Sequence, residues 1–377
     1  MFDVYITKAT KYFPNEPVSN EEMEDFLGRI DETASKTRRL ILRNNQIKNR
    51  YYALDKEGKP THTNAEMVYE AVKQLFDEEF RENDIEVLSC GSTTPDILLP
   101  SLAAMVHGYF SDTNVEINSA SGACVSGMNA LKYGYLSVKS GNSQNAVCTG
   151  SERTSAWMMA EKFQGEVDAL KKVEENPILA FKKDFLRWML SDGAAAFLLE
   201  RQPRGPISFR IEWMDNYSYA HELETCMYAG GEKQEDGSVK SWNYYHPEEW
   251  IKNSIFSLKQ DTRLLGENIL VKGAQSCKQS LDKREVSCSE IDYFLPHVSS
   301  HFFVNGLMEE MQKEGIDIPF EKWFMNLSQV GNVGAASIFL MLEELMHSGK
   351  LEKGQKILLS VPESSRFSYA YAYLTVV

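Results

Sequence analysis

The chain is 377 residues long, 43% of them hydrophobic, and carries a formal net charge of −14. That length is ample for a large core and suggests two domains or one large duplicated unit. The acidic balance argues against non-specific nucleic-acid binding, and without a run of 18 apolar residues no membrane-spanning helix is expected. The N-terminus, Met1-Phe-Asp-Val-Tyr-Ile, lacks the basic region and apolar core of a signal peptide. The six cysteines, Cys90, Cys124, Cys148, Cys226, Cys277 and Cys288, have no CxxC spacing. They read as reduced thiols in a cytoplasmic protein, most of them small buried hydrophobes and one of them reactive.

Helix and strand signals alternate along the chain. Ser19-Asn-Glu-Glu22 is a capping box ahead of a helix carrying Met23, Phe26, Leu27 and Ile30. Thr63-Asn-Ala-Glu66 is a second, leading into Met67, Ala71, Val72, Leu75 and Phe76 at helical spacing. Strands are expected at Ile85–Ser89, Val115–Ile117, Ala146–Thr149, Ala194–Leu199, Tyr293–Leu295, Lys356–Ser360 and Ala370–Val376. Strands separated by helices predict an α/β fold with layered sheets. A strand, a small-residue turn and an apolar helix follow one another at Val115–Val138, and the same order recurs at Trp323–Leu345. Pro203-Arg-Gly-Pro206 is the best punctuation between two halves, residues 1–203 and 204–377. The polar stretch Gly230–Lys240 reads as an exposed loop or insertion.

Three side chains carry the chemistry. Cys124 lies in Asn118-Ser-Ala-Ser-Gly-Ala-Cys124-Val-Ser-Gly127, where a strand turns into a helix. A helix N-terminus offers unpaired N–H groups and the positive end of the dipole, both of which favour a thiolate. Gly122 and Gly127 permit the close backbone approach such a turn needs. His297 follows Ile291-Asp-Tyr-Phe-Leu-Pro296, at a strand end, a usual place for chemistry in α/β proteins. Asn332 lies in Gly331-Asn332-Val-Gly334-Ala-Ala-Ser337, which lacks the lysine of a phosphate-binding loop. Taken singly, each has a plain structural reading: an inert buried thiol, a satisfied histidine, an asparagine suited to a left-handed turn. His301 mimics one half of a metal pair, but no third ligand has sensible spacing, and no metal is expected.

In this order, the segments resemble the thiolase-fold condensing enzymes, most closely the 3-oxoacyl-[acyl-carrier-protein] synthase III type. The resemblance runs through Ile47-Lys-Asn-Arg50, Ser92-Thr-Thr-Pro95, Leu99-Pro-Ser101, Ala123-Cys124-Val-Ser-Gly127, Gly150-Ser-Glu152, Ser191-Asp192-Gly193-Ala-Ala-Ala196, Pro296-His297 and Gly331-Asn332-Val-Gly-Ala-Ala-Ser337. It implies a five-layered αβαβα fold with two similar halves, usually a homodimer. It also implies that Cys124 takes an acyl group from a thioester, while His297 and Asn332 bind the thioester carbonyl of a second substrate and stabilise its enolate. The backbone N–H of Cys124 is one expected oxyanion donor. No bound cofactor is implied, and the substrates are acyl thioesters of acyl carrier protein or coenzyme A.

The departures from the family pattern point to a specialised pathway rather than to housekeeping initiation of fatty acid synthesis. Where relatives carry a Gly-rich loop, this chain has Pro362-Glu-Ser-Ser-Arg366-Phe-Ser-Tyr, and Ser365 best matches the second oxyanion donor. Val298-Ser-Ser-His301 replaces the usual Gln-Ala-Asn, and the tryptophan that often stacks on coenzyme A is missing. The segment Tyr217-Ser-Tyr-Ala-His221-Glu222-Leu-Glu224-Thr-Cys226-Met-Tyr228 resembles the ketosynthases that build dialkylresorcinols or cyclohexanediones. It reads equally as a pocket wall in which His221 or Glu222 assists proton transfer, and as a surface or dimer-contact segment. Lys36, Arg38, Arg39, Arg43, Lys48 and Arg50 form a basic cluster suited to an acidic carrier protein, and Lys182, Lys183 and Arg187 extend it. A non-condensing acyltransferase, a Cys-His-Asn hydrolase and an inactive partner subunit are the competing readings.

Overall fold

The computed structural model describes residues 1–30, 35, 38–162 and 186–377. Lys36, Lys182 and Lys183 of the expected basic cluster lie outside the described residues. Nine strands form one sheet: β1 (Tyr5–Tyr12), β2 (Val87–Ser92), β3 (Glu116–Ser121), β4 (Asn145–Glu152), β5 (Gly193–Glu200), β6 (Phe209–Ser218), β7 (Tyr293–Pro296), β8 (Lys356–Glu363) and β9 (Ser368–Val376). Their order is β7-β8-β9-β6-β1-β5-β4-β2-β3. β2 runs parallel to β3 and β4, and β7 parallel to β8; the remaining pairs are antiparallel. The principal helices are α1 (Asn64–Lys73), α2 (Leu102–His107), α3 (Val125–Ser140), α4 (Thr262–Lys283), α5 (Val304–Lys313) and α6 (Ser337–Met346).

Chain order exposes a duplication. The first half runs β1, α1, β2, α2, β3, α3, β4, β5, and the second runs β6, α4, β7, α5, α6, β8, β9. The counterpart of β3 shrinks to a single parallel bridge between Phe294 and Trp323. The repeat seen in the sequence at Val115–Val138 and Trp323–Leu345 is therefore real in space, although its second strand is vestigial.

Helices α3 and α6 contact strands of both halves and form the middle layer. α1 and α2 cover the first half outside, and α4 and α5 cover the second, which makes the five layers α/β/α/β/α. The inner faces of the middle layer are apolar, with Val125, Met128 and Leu131 of α3 packed with Ile338, Phe339 and Leu342 of α6, while α3 keeps Asn129, Tyr133 and Leu136 exposed on its other side. Each outer layer has a core of its own. α6, whose residues Ser337–Glu343 are all buried, shows the near-continuous apolar pattern that packing between the two halves of the sheet requires. Among the described residues, no helix is long and apolar enough to cross a membrane.

Close approach in the middle layer depends on glycine. A Cβ on Gly127 of α3 would stand 2.2 Å from the Ala335 carbonyl oxygen, and one on Gly150 of β4 would stand 2.4 Å from the same atom. The backbone just before α6 therefore lies directly against α3 and β4. Gly127→Val forces these layers apart and lowers stability by about 3 kcal/mol or more, measured by denaturant unfolding.

Most expected elements are present, with shifted ends. The Thr63 capping box forms in full, with Glu66 N–H bonded to Thr63 Oγ1 at 3.1 Å and Thr63 N–H to Glu66 Oε2 at 2.7 Å. Ser19 and Glu22 also pair, but the helix they introduce spans only Met23–Leu27, because Gly28 follows at φ +72°. β3 extends four residues past Ile117 into Asn-Ser-Ala-Ser, since parallel pairing with β2 supplies its hydrogen bonds whatever the side-chain preference. β1 and β6, which join the halves through Tyr5↔Arg210 and Ile6↔Phe209, were not among the expected strands. Pro203–Pro206 lies between β5 and β6, and the Gly230–Lys240 stretch forms a small hairpin of Gly231–Lys233 with Val239–Ser241.

Candidate active site

Cys124 is the N-cap residue of α3, as the strand–turn–helix pattern predicts. All six cysteines are unpaired, and only Cys124 and Cys288 are not fully buried. The helix end is not a free positive pole, however. Glu363, the last residue of β8, accepts hydrogen bonds through Oε2 from Ala123 N–H at 2.9 Å and Val125 N–H at 3.1 Å, the groups that flank Cys124. Burial pushes the Cys124 thiol up, and the charges of Glu363 and Glu152 push it further. The expected dipole-stabilised thiolate thus gives way to a protonated thiol, first because burial disfavours the charged form and then because two acidic neighbours add to it.

His297 follows β7 directly, its N–H bonded to the Ser360 carbonyl at 2.8 Å. It is 3% exposed, and burial lowers its pKa to about 4, so the imidazole is neutral at neutral pH. Asn332 is held at both backbone ends: its N–H bonds Met189 O and its carbonyl accepts from Ser191 N–H, each at 2.9 Å. Its Oδ1 accepts from Gly334 N–H at 3.0 Å. That bond fixes which amide atom is oxygen and leaves the NH2 group as the donor. The left-handed positions of this loop are Gly331 and Gly334, not Asn332, so a turn preference does not explain the asparagine.

Two cavities meet at Cys124. One, with an empty volume of about 730 Å³, is walled by Leu265, Ile269 and Leu270 of α4, Leu307 and Met311 of α5, and Phe294 and His297 at the end of β7. The other, of about 540 Å³, is walled by Thr93, Glu152, Met189, Leu190, Met227, Leu258 and Asn332. Cys124, Gln260, Ser299 and Ser364 line both. The structure therefore gathers Cys124, His297 and Asn332 around one junction, with mostly apolar walls leading away on either side.

Glu152 is a site residue that the sequence reading quoted only as part of a motif. It takes hydrogen bonds from the hydroxyls of Thr93 (2.6 Å) and Thr94 (2.7 Å) and from the N–H groups of Thr93 and Ala335 (3.1 Å each). Burial raises its pKa to about 7 against the pull of those bonds. A lone acid ending an apolar strand was the signal available for Glu152, and the same signal stands at Glu363.

Other expected site residues lie elsewhere. Ser365 lines neither cavity; its carbonyl accepts from Cys226 and Met227 N–H, and its hydroxyl bonds Glu363 Oε1, whereas Ser364 faces both cavities. His221 and Glu222 are on the surface, paired with each other at 3.2 Å, and Glu222 also holds Lys272 at 2.6 Å. Of their segment, Met227 is the residue that reaches a cavity wall. Arg50 is no surface charge: fully buried, it donates to Asn20 Oδ1 at 2.7 Å and Trp188 O at 3.1 Å, and burial lowers its pKa. Arg187 is likewise buried, bonded to the Met158 carbonyl at 2.8 Å. Arg38 is tied to Glu24, while Arg39, Arg43 and Lys48 are exposed. His301 shares a 3.1 Å hydrogen bond with Ser328 Oγ, and among the described residues no His, Cys, Asp and Glu side chains cluster to hold a metal ion.

Comparison with known proteins bears on the fold and the class of the chain. Residues 281–362 match the family described as 3-oxoacyl-[acyl-carrier-protein (ACP)] synthase III C terminal. The chain is 24% identical over 360 residues to beta-ketoacyl-[acyl-carrier-protein] synthase III of Chlorobaculum tepidum, covering 94% of each chain. It is 25% identical over 351 residues to the Rickettsia rickettsii protein of the same name, covering 93% of this chain and 92% of that one. Among solved structures, AbyA1, a tetronic acid condensing enzyme, superposes with a TM-score of 0.77 at 18% identity, covering 98% of this chain and 99% of that one. The C143S form of Xanthomonas campestris OleA, solved with bound lauric acid and lauroyl-CoA, gives 0.73 at 19% identity with full coverage of both chains. Fold, C-terminal family segment and relatives support a thiolase-fold condensing enzyme of the 3-oxoacyl-[acyl-carrier-protein] synthase III type. The protein is an acyltransferase of that class.

Proposed function

We propose that this enzyme loads an acyl group on Cys124 and joins it to a second acyl thioester by Claisen condensation. We place it in a specialised fatty-acid-derived or polyketide pathway of the dialkylresorcinol type. The observation that carries this reading is the meeting of two largely apolar cavities at one thiol, with His297 on one side and Asn332 on the other. In the first half-reaction, Cys124 Sγ attacks a thioester carbonyl, and the oxyanion is held by the N–H of Cys124 and a second donor that we assign to Ser364. In the second, the neutral His297 imidazole and the Asn332 amide donate to the carbonyl oxygen of the other thioester, whose enolate they stabilise. Loss of CO₂ or of a proton from C2 of that thioester leaves the electron pair of the enolate; C2 then attacks the acyl carbon on Cys124, the C–C bond forms, the Sγ–acyl bond breaks, and Cys124 is released and reprotonated.

We read residues 1–203 and 204–377 as the two thiolase-like halves and the enzyme as a homodimer. The edge strand β3 exposes Ile117, and Leu98, Leu99, Tyr133 and Leu136 are exposed beside it, an apolar edge of the kind that a second copy covers. Arg39, Arg43 and Lys48 are the exposed cations left to steer an acidic carrier protein, with coenzyme A as the other thioester source. Housekeeping initiation of fatty acid synthesis is the second reading, favoured by the names of the relatives from Chlorobaculum and Rickettsia. The first reading is favoured by Pro362-Glu-Ser-Ser in place of a Gly-rich loop and by the apolar wall that α4 and α5 give the first cavity.

The test is a panel of acyl thioesters offered to the enzyme, with the Cys124 adduct and the C–C product both followed by mass spectrometry. Leu307→Trp, on the outer wall of the first cavity, shortens the accepted chain by several carbons while short-chain loading is unchanged. A preference for acetyl groups in the wild-type enzyme would favour the housekeeping role instead.

A further inference from the structure

Gln260 lines both cavities together with Cys124, Ser299 and Ser364. It belongs to none of the segments that carry the family resemblance, and it is 6% exposed. The fold clamps it from both sides. Lys259–Gln260 pairs antiparallel with Met227–Tyr228, and the next residue, Asp261, caps α4 by accepting from Leu264 N–H at 3.1 Å. Asp261 N–H in turn bonds the Cys226 carbonyl at 2.7 Å. The backbone that carries Gln260 is therefore fixed before a substrate arrives, as a group that stabilises developing charge must be.

The side-chain amide of Gln260 is only partly used. Its Nε2 donates to Ser364 Oγ at 3.0 Å, and that hydroxyl points on to Met227 Sδ at 3.8 Å. This order of donors fixes which amide atom is nitrogen. Among the described residues, the second hydrogen on Nε2 meets no acceptor. A donor left unpaired in a closed, largely apolar space forfeits about 1–3 kcal/mol unless a bound molecule accepts from it. Because Gln260 lines both cavities, the spare N–H faces the junction where Cys124 meets its substrate.

We infer that Gln260 donates its spare N–H to the carbonyl oxygen of the acyl group passing to Cys124, and that its bond to Ser364 holds the neighbouring donor in place. This deepens the proposed function and rests on the acylation of Cys124. As Cys124 Sγ attacks the thioester carbon, the new S–C bond forms and the carbonyl π pair moves onto oxygen. When that pair returns, the bond to the departing sulfur breaks, and the proton of the Cys124 thiol leaves with that sulfur. The same oxygen takes up charge again when C2 of the second substrate attacks the acyl carbon. Gln260 therefore serves both passages, whereas His297 and Asn332 serve the enolate oxygen of the other thioester. A neutral amide suits the task, because it stabilises an oxyanion without giving up its proton. It also does what a Gly-rich loop would otherwise do. Pro362-Glu-Ser-Ser is held by Gln260 at Ser364 and by the Cys226 and Met227 N–H groups at the Ser365 carbonyl.

The test follows the rate at which lauroyl-coenzyme A loads Cys124, read by intact mass in wild type, Gln260→Met and Gln260→Glu between pH 5.5 and 8. Gln260→Met keeps the length and volume of the side chain but has no donor, and its loading slows by about 10- to 10²-fold at every pH. Gln260→Glu slows at least as much at pH 8, where a carboxylate cannot donate and repels the oxyanion. Relative to wild type it recovers about 10-fold or more by pH 5.5, where the protonated acid donates again. A residue that only shaped the junction would give no such recovery. Loading by Gln260→Met at the wild-type rate overturns the inference, as does a Gln260→Glu to wild-type ratio that is flat with pH. Should Gln260→Met fail to fold, the pH ratio of Gln260→Glu decides alone. Either adverse result leaves the proposed function standing, because wild-type Cys124 has loaded; absence of any adduct on wild-type Cys124 overturns both.

Discussion

Cys124→Ala is expected to take up no acyl group, and its condensed product falls to background, a loss on the order of 10⁴-fold or more. The measurement is intact mass after incubation with an acyl thioester, followed by digestion to locate the adduct. The site makes this a sharp test, because the first cavity contains a second thiol. Cys277 of α4 lines the same wall, but it is 3% exposed and burial raises its pKa to about 12. Cys124 is the one at the junction of both cavities, at the start of a helix, with its own N–H placed between those that hold Glu363. The adduct therefore maps to Cys124 alone. An adduct on Cys277, or product formation by Cys124→Ala, contradicts the assignment. The protonated state of the thiol carries a corollary: alkylation by iodoacetamide is slow at neutral pH and accelerates as pH rises, since only the thiolate reacts.

His297→Ala and Asn332→Ala divide the two half-reactions. Each variant still acquires the acyl mass on Cys124, because neither side chain is needed for that attack. Each loses about 10²- to 10³-fold in condensation, the scale of removing one donor from a developing oxyanion. The double variant falls short of the product of the two losses, since the donors act on one oxygen. Asn332→Asp is the discriminating substitution. It keeps an oxygen for the Gly334 N–H but replaces the amide donor with a negative charge, so it condenses no better than Asn332→Ala. His297 is already neutral well below pH 6, so its ionisation does not set an acid limb near the ordinary histidine value. Normal condensation by any of these variants removes the residue from the scheme.

The parts of this site that were legible in the sequence are those whose chemistry travels with their local neighbours. A thiol at a strand-to-helix turn, an imidazole after an apolar strand and an asparagine in a small-residue loop each carry a local signature, and their order along the chain carries the family. The Thr63 capping box and the repeated strand–turn–helix unit were legible for the same reason: hydrogen bonding over three residues and hydrophobic periodicity are properties of short segments. The strands β1 and β6 were not, because their pairing with each other and with distant strands, rather than any strong local pattern, makes them strands.

Charge was the hardest property to place from sequence. Arg50 and Arg187 read as members of a basic surface, yet folding turns both inward onto carbonyl groups. His221 and Glu222 read as candidates for proton transfer, yet both point to water. Conversely, the sequence suggested a Cys124 activated by a helix dipole, and only the tertiary structure shows Glu363, 239 positions away, capping that helix. A nucleophile's identity is written in its own residue type and its immediate turn. Its protonation state depends on which charges the fold packs against it across the middle layer, and in a low-dielectric interior those neighbours decide the chemistry.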